Sequence, residues 1–167
     1  MTMSANILSD GYDRVKEVVH DTVDGLTEEE LTFRVGPRAN TIAWLIWHLT
    51  RVQDDHIAHV AGLEQVWTSG GWFERFGLPF DKRAHGYGQT SDEVAQVKGI
   101  PAEQLIGYHD AVHAQTIGFI AGLSDEDLER IVDTRWDPPV TLAARLVSVI
   151  ADDLQHAGQA AYVKGLI

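Results

Sequence analysis

Residues 41–62 read TIAWLIWHLTRVQDDHIAHVAG, with no proline and no glycine before the last position. A threonine able to cap a helix opens this run and a glycine closes it, which predicts one helix of about six turns. Steps of three and four carry Thr41, Leu45, His48, Val52, Asp55 and His59 along one seam. That seam should face the core, yet it carries two imidazoles and a carboxylate. Burying such groups is costly unless each is paired or bound to a metal, so the seam is a candidate site.

A second run of the same kind, TLAARLVSVIADDLQHAGQAAYVKG at 141–165, follows Pro138-Pro139. Thr141 is its candidate cap. Its core spacing passes through Leu142, Leu146, Val149, Asp153, His156, Ala160 and Val163, and Asp152 lies four residues before His156. Residues four apart on a helix share a face at about 5–6 Å between Cβ atoms, near enough to ligate one ion together.

Two further helices complete the set. One runs from about Ser4 to Asp24 and stops at Gly25, with Ile7, Leu8, Val15, Val18, Val19 and Val23 at helical spacing. The other, PAEQLIGYHDAVHAQTIGFIAG, starts at Pro101 and ends at Gly122. Between Leu63 and Gly99 glycines and a proline punctuate Trp67, Trp72, Phe73, Phe76, Phe80 and Tyr87, which predicts a long aromatic connection holding one short helix at 91–98. The expectation is an all-α four-helix bundle forming a single domain over residues 1–167. GLTEEELTFRV at 25–35 echoes GLSDEDLERIV at 122–132, as two similar helical pairs would. Chance recurrence of acidic capping runs explains one short match equally well.

Composition narrows the chemistry. Thirteen Lys and Arg against 25 Asp and Glu give a formal charge of -12, which repels a nucleic-acid backbone or an anionic membrane. With no cysteine, any metal must be held by His, Asp or Glu. The first residues, MTMSANILSDGYDR, lack a basic start and a long apolar run, and IAWLIW at 42–47 is too short to span a bilayer, so a cytoplasmic protein is expected. No Gly-rich phosphate loop and no G-x-S-x-G elbow is present.

Each polar residue also has a plainer reading. His48 alone fits a hydrogen-bonded core histidine, and Asp152 with His156 fits a carboxylate–imidazole pair without metal. Asp55 and His59 either extend a pocket towards its mouth, as weak candidates for moving protons, or form a separate pair near the helix end. His20, His56, His85, His109 and His113 read as exposed or polar-face residues.

The runs TIAWLIWHLTRVQDDHI at 41–57 and DDLQHAGQAAYVKG at 152–165 resemble the DinB/YfiT-like metalloenzyme superfamily over nearly the whole chain. In that family a long second helix carries a ligand in a W-L-x-x-H-L context, here Trp44-Leu45-Ile46-Trp47-His48-Leu49. The fourth helix carries H-x-x-x-H-x-G-Q, matched here by Asp152, His156, Gly158 and Gln159. Most relatives have histidine where this chain has Asp152; the mycothiol-dependent maleylpyruvate isomerase branch is similar in having a carboxylate there. The resemblance implies a metal set of His48, Asp152 and His156, with Gly158 allowing close helix approach and Gln159 bonding to a ligand. Two imidazoles and a carboxylate suit Zn²⁺ first, and also Ni²⁺, Fe²⁺ or Mn²⁺.

Three protein ligands leave a coordination position open, as in catalytic sites. The resemblance implies S-transfer or isomerisation of a small-molecule substrate through a metal-activated low-molecular-weight thiol such as mycothiol or bacillithiol, and a homodimer. Trp67, Trp72 and Phe73 would then cover the mouth of the site or, more simply, cap the bundle. Two alternatives stand beside this: a non-catalytic, dimeric metal-binding helical protein, and a metal-dependent hydrolase.

Overall fold

The computed structural model describes residues 1–167. Four long helices dominate: α1 (Met3–Val23), then after the short α2 (Glu28–Leu31) the helix α3 (Ile42–Ala61). The connection holds α4 (Val66–Ser69), α5 (Trp72–Phe76) and α6 (Ser91–Val94), and leads into α7 (Ala102–Ala121). The chain closes with α8 (Asp125–Leu128), the strands β1 (Ile131–Asp133) and β2 (Val140–Thr141), and α9 (Leu142–Lys164). This is an all-α bundle of the DinB-like type. The small antiparallel ribbon, in which Ile131 faces Thr141, departs from the expectation of helices and loops alone. No helix is long and apolar enough to cross a membrane.

The caps explain where the helices begin. Thr2, Thr41 and Thr141 each accept a backbone N–H three residues on, at 3.1 Å in all three cases. Gly62 closes α3 at φ +67°, a left-handed conformation that glycine adopts without strain. Pro101 stands just before α7 as its cap rather than as its first helical residue. The echoed segments form matching one-turn helices, α2 and α8, each with a reciprocal capping box, at Thr27/Glu30 and Ser124/Asp127.

α3 packs on α9 and α7, and α1 on α7 and α9. One apolar cluster joins Val15, Leu45, Leu105 and Ala157, and a second joins Leu8, Ile57, Ile120 and Leu146. The order of these residues along their helices makes α1 and α9 run one way and α3 and α7 the other. The 62–101 connection therefore returns the chain from one end of the bundle to the opposite end. Between the clusters lies a polar layer, in which Gln53 donates to Thr116 Oγ1 at 2.8 Å and Asp153 is fully buried. Burial pushes the Asp153 carboxyl well above the usual carboxylate range, so it is held neutral.

The connection is anchored from α3. Asp54 accepts the Val66 and Trp67 amides at 2.9 and 2.8 Å, and the Tyr108 hydroxyl at 2.8 Å. Arg51, wholly buried, donates to the Ala84 carbonyl at 3.0 Å and to Gln65 at 2.8 Å, and lies over the Trp67 ring at 5.0 Å. Trp67 and Trp72 pack on Tyr108, and Phe73 on Trp67. These aromatics cover the α3/α7 side of the bundle; they do not form the mouth of the cavity described next.

Candidate metal centre

α3 and α9 bring His48, Asp152 and His156 to one place, with one ligand atom from each within 4.8 Å of the others. His48 is buried, while Asp152 and His156 are partly exposed. Asp152 Oδ1 stands 3.7 Å from His156 Nε2. The imidazole of His48 stacks on Trp44 with centroids 4.5 Å apart and meets His156 edge-on at 4.8 Å. Trp44 is itself fixed by donating from Nε1 to Gln89 at 2.7 Å.

The remaining ring nitrogens decide whether this set suits a metal. His48 Nδ1 donates to the carbonyl of His85, and a carbonyl can only accept. His156 Nδ1 lies 3.0 Å from Gln159 Oε1, again an acceptor. With Nδ1 turned to an oxygen, the neutral form of either ring has its lone pair on Nε2, the tautomer in which histidine ligates metal while its other nitrogen is oriented by an oxygen. Burial, above all, pushes His48 below its ordinary value and keeps it neutral. Two imidazoles and a carboxylate fit a divalent cation, and the three residues form a possible metal-binding triad.

Gly86 makes the His85 contact possible. At φ +95° its backbone passes against α3, and a Cβ there would lie 3.1 Å from both Trp44 and Trp47. Gly158 has no such role: a Cβ added to it meets nothing within 4 Å, so the expected close helix approach is absent. Gln159 does stand beside His156, as the resemblance implied.

A cavity of about 860 Å³ opens beside the triad, with His48 and Asp152 in its wall. Apolar Val52, Val140, Ala144 and Val149 line it together with polar Asp55, His56, Asp133 and Arg145. Tyr87 and Trp136, 87% and 66% exposed, stand at its rim. Asp55 reaches this cavity but is engaged by Gln65 Nε2 at 2.7 Å. His59 is exposed and lines only a neighbouring cavity of about 460 Å³, so it is not brought to the triad.

Three histidines depart from the expectation of exposed or polar-face residues. His109 is completely buried with neither nitrogen hydrogen-bonded, and burial pushes it down to about 3. His85 supplies the carbonyl that orients His48, a backbone role that no residue pattern announces. His56 lines the main cavity, 2.8 Å from Arg145, which also donates to Asp133 at 3.1 Å. Helical spacing does carry these last two, because 48, 52 and 56 form one row of α3, and 145, 149 and 152 one row of α9.

Residues 8–167 match the family model described as mycothiol-S-transferase. Among solved structures, the crystal structure of the conserved protein of locus from Enterococcus faecalis is similar, with a TM-score of 0.92 and 30% identity. The alignment covers 100% of this chain and 98% of that one. No curated protein matches the chain.

Proposed function

This chain belongs to the mycothiol-S-transferase family, a DinB/YfiT-like family, and on that footing we propose that it is a divalent-metal-dependent thiol transferase or isomerase. His48, Asp152 and His156 would hold the metal, with zinc the first candidate for the donor set and nickel, iron or manganese compatible with it. A divalent cation held there would lower the pKa of a bound thiol and so raise its thiolate fraction near neutral pH. The protein has no thiol of its own, which agrees with a borrowed nucleophile, and the family likeness favours a small molecule of the mycothiol type.

The observation that carries this reading is the meeting of three donors beside an open cavity large enough for a small conjugate, with two of them, His48 and Asp152, in its wall. A protein that only stored an ion would need no such access. Within the cavity the chain's residues have separate tasks. His85 and Gln159 fix the two imidazoles, and Val52, Val140 and Val149 give the cavity its apolar lining. The family likeness also favours a cytoplasmic homodimer.

The test is formation of an S-conjugate by the metal-loaded protein with mycothiol, bacillithiol and glutathione, set against His48→Ala and His156→Ala. Turnover with one of these thiols, lost in both variants together with bound metal, is the expected result. Inactivity with all three thiols overturns the reading. Product release from esters or amides without added thiol would favour the hydrolase instead.

A further inference from the structure

The histidines around the cavity are held in opposite senses. His48 and His156 each turn Nδ1 to an oxygen acceptor, leaving a lone pair at Nε2. His56 instead has its Nδ1 2.8 Å from Arg145 Nη1. A guanidinium has donors only, so this nitrogen of His56 must present its lone pair, and the neutral ring carries its proton at Nε2. Burial first, and the Arg145 cation next, hold the imidazole below its ordinary range, which keeps it neutral.

The arrangement is anchored. The Arg145 side chain is 14% exposed and donates from its other arm to Asp133, whose own side chain is 7% exposed. His56 Nε2 makes no hydrogen bond within the protein and is not enclosed, and the ring lines the cavity together with His48 and Asp152. A histidine in this tautomer cannot ligate a metal through Nε2. What it offers the cavity is one N–H donor whose orientation is set before any ligand arrives, which is how a developing negative charge on oxygen is stabilised.

We propose that His56, fixed by Arg145 as the Nε2–H tautomer, donates a hydrogen bond to the carbonyl oxygen of an α,β-unsaturated acceptor substrate. This rests on the thiol-transfer reading. The thiolate sulfur forms a C–S bond at the β carbon, the alkene π pair moves toward the carbonyl, and the oxygen takes on enolate charge. His56 donates a hydrogen bond to that oxygen and keeps its proton. The α carbon receives its proton from water, balancing the proton lost when the thiol ionised.

The first test is ¹⁵N NMR of the imidazole nitrogens, with His56→Gln to identify the signals. The expected spectrum shows the His56 proton at Nε2 near pH 7 in the wild type, and a mixture of tautomers in Arg145→Met. The second test is conjugation of an enone and of a benzyl halide, which has no carbonyl oxygen to accept charge. His56→Leu should lower kcat for the enone about 100-fold with metal content unchanged, His56→Gln should recover most of that loss, and the benzyl halide should change less than about threefold. A proton at Nδ1, or equal losses for both electrophiles with no recovery by Gln, overturns the assignment. If the wild type conjugated none of the thiols, the thiol-transfer reading would fall by itself, and the NMR measurement would still decide the state of His56.

Discussion

The backbone of Gly86 lies so close to His48 that a Cβ at residue 86 would stand 2.7 Å from the imidazole Nδ1. The same ring nitrogen donates to the carbonyl next door, at His85, so one turn of chain both confines the ring and selects its tautomer.

Gly86→Ala should therefore weaken metal binding without unfolding the protein. The residue combines φ +95° with a side-chain clash, a strain on the order of 1–3 kcal/mol. Relief requires the loop to lift off His48. The expected outcome is a metal affinity lower by about 10–100-fold, read by competition with a chromogenic chelator, and a lower Tm. Unchanged affinity would show that the His85 contact does not orient the ligand.

Gln159→Leu tests the equivalent contact on α9. Gln159 is exposed, so its loss leaves the core intact while freeing the His156 ring. Metal affinity should fall by about 10–100-fold with urea denaturation of the metal-free protein unchanged within about 0.5 kcal/mol. Equal metal affinity in the variant would remove Gln159 from the site.

His109 governs part of the acid sensitivity. Its folded value of about 3 lies below the ordinary 6.5, so between these pH values the unfolded chain binds a proton that the native state refuses. Stability therefore rises with pH across that window and is lost on acidification. The loss attributable to this residue is on the order of 5 kcal/mol by pH 3. His109→Leu should flatten the acid limb of a urea-denaturation series and, by removing two unpaired buried nitrogens, add about 1–3 kcal/mol at pH 7. Identical acid limbs in variant and wild type would contradict the assignment.

The helices were legible because their ends are written in single residues. Thr41, Gly62 and Thr141 mark termini through groups that act locally, and apolar spacing of three and four gave the buried faces. Spacing placed His48 and His156 on core seams and Asp152 one turn before His156, but it was the family resemblance that joined the three into one set, which the structure brings together. What escaped was decided by tertiary contact. The His85 carbonyl is a backbone group, and its position depends on a loop that reaches α3 only in the folded chain. His56 sits in the row of His48, but its significance depends on Arg145 arriving from another helix. Trp67 and Trp72 were drawn to Tyr108 by the Arg51 and Asp54 anchors, which residue type alone presents as two charges on a helix surface. The two-residue strand at 140–141 is too short for alternation to show.

The two rims of the cavity are tethered by different means. The loop bearing Tyr87 follows Ala84, which a fully buried arginine grips, and Gly86, which is wedged against two tryptophans. The turn bearing Trp136 is tied through ion pairs of Asp133 with Arg135 and Arg145. Both jaws of this opening are thus fastened to the bundle. Residues 134–139 span the gap between the strands at one jaw, so lengthening or shortening them would reshape the entrance without touching the helices that carry the triad.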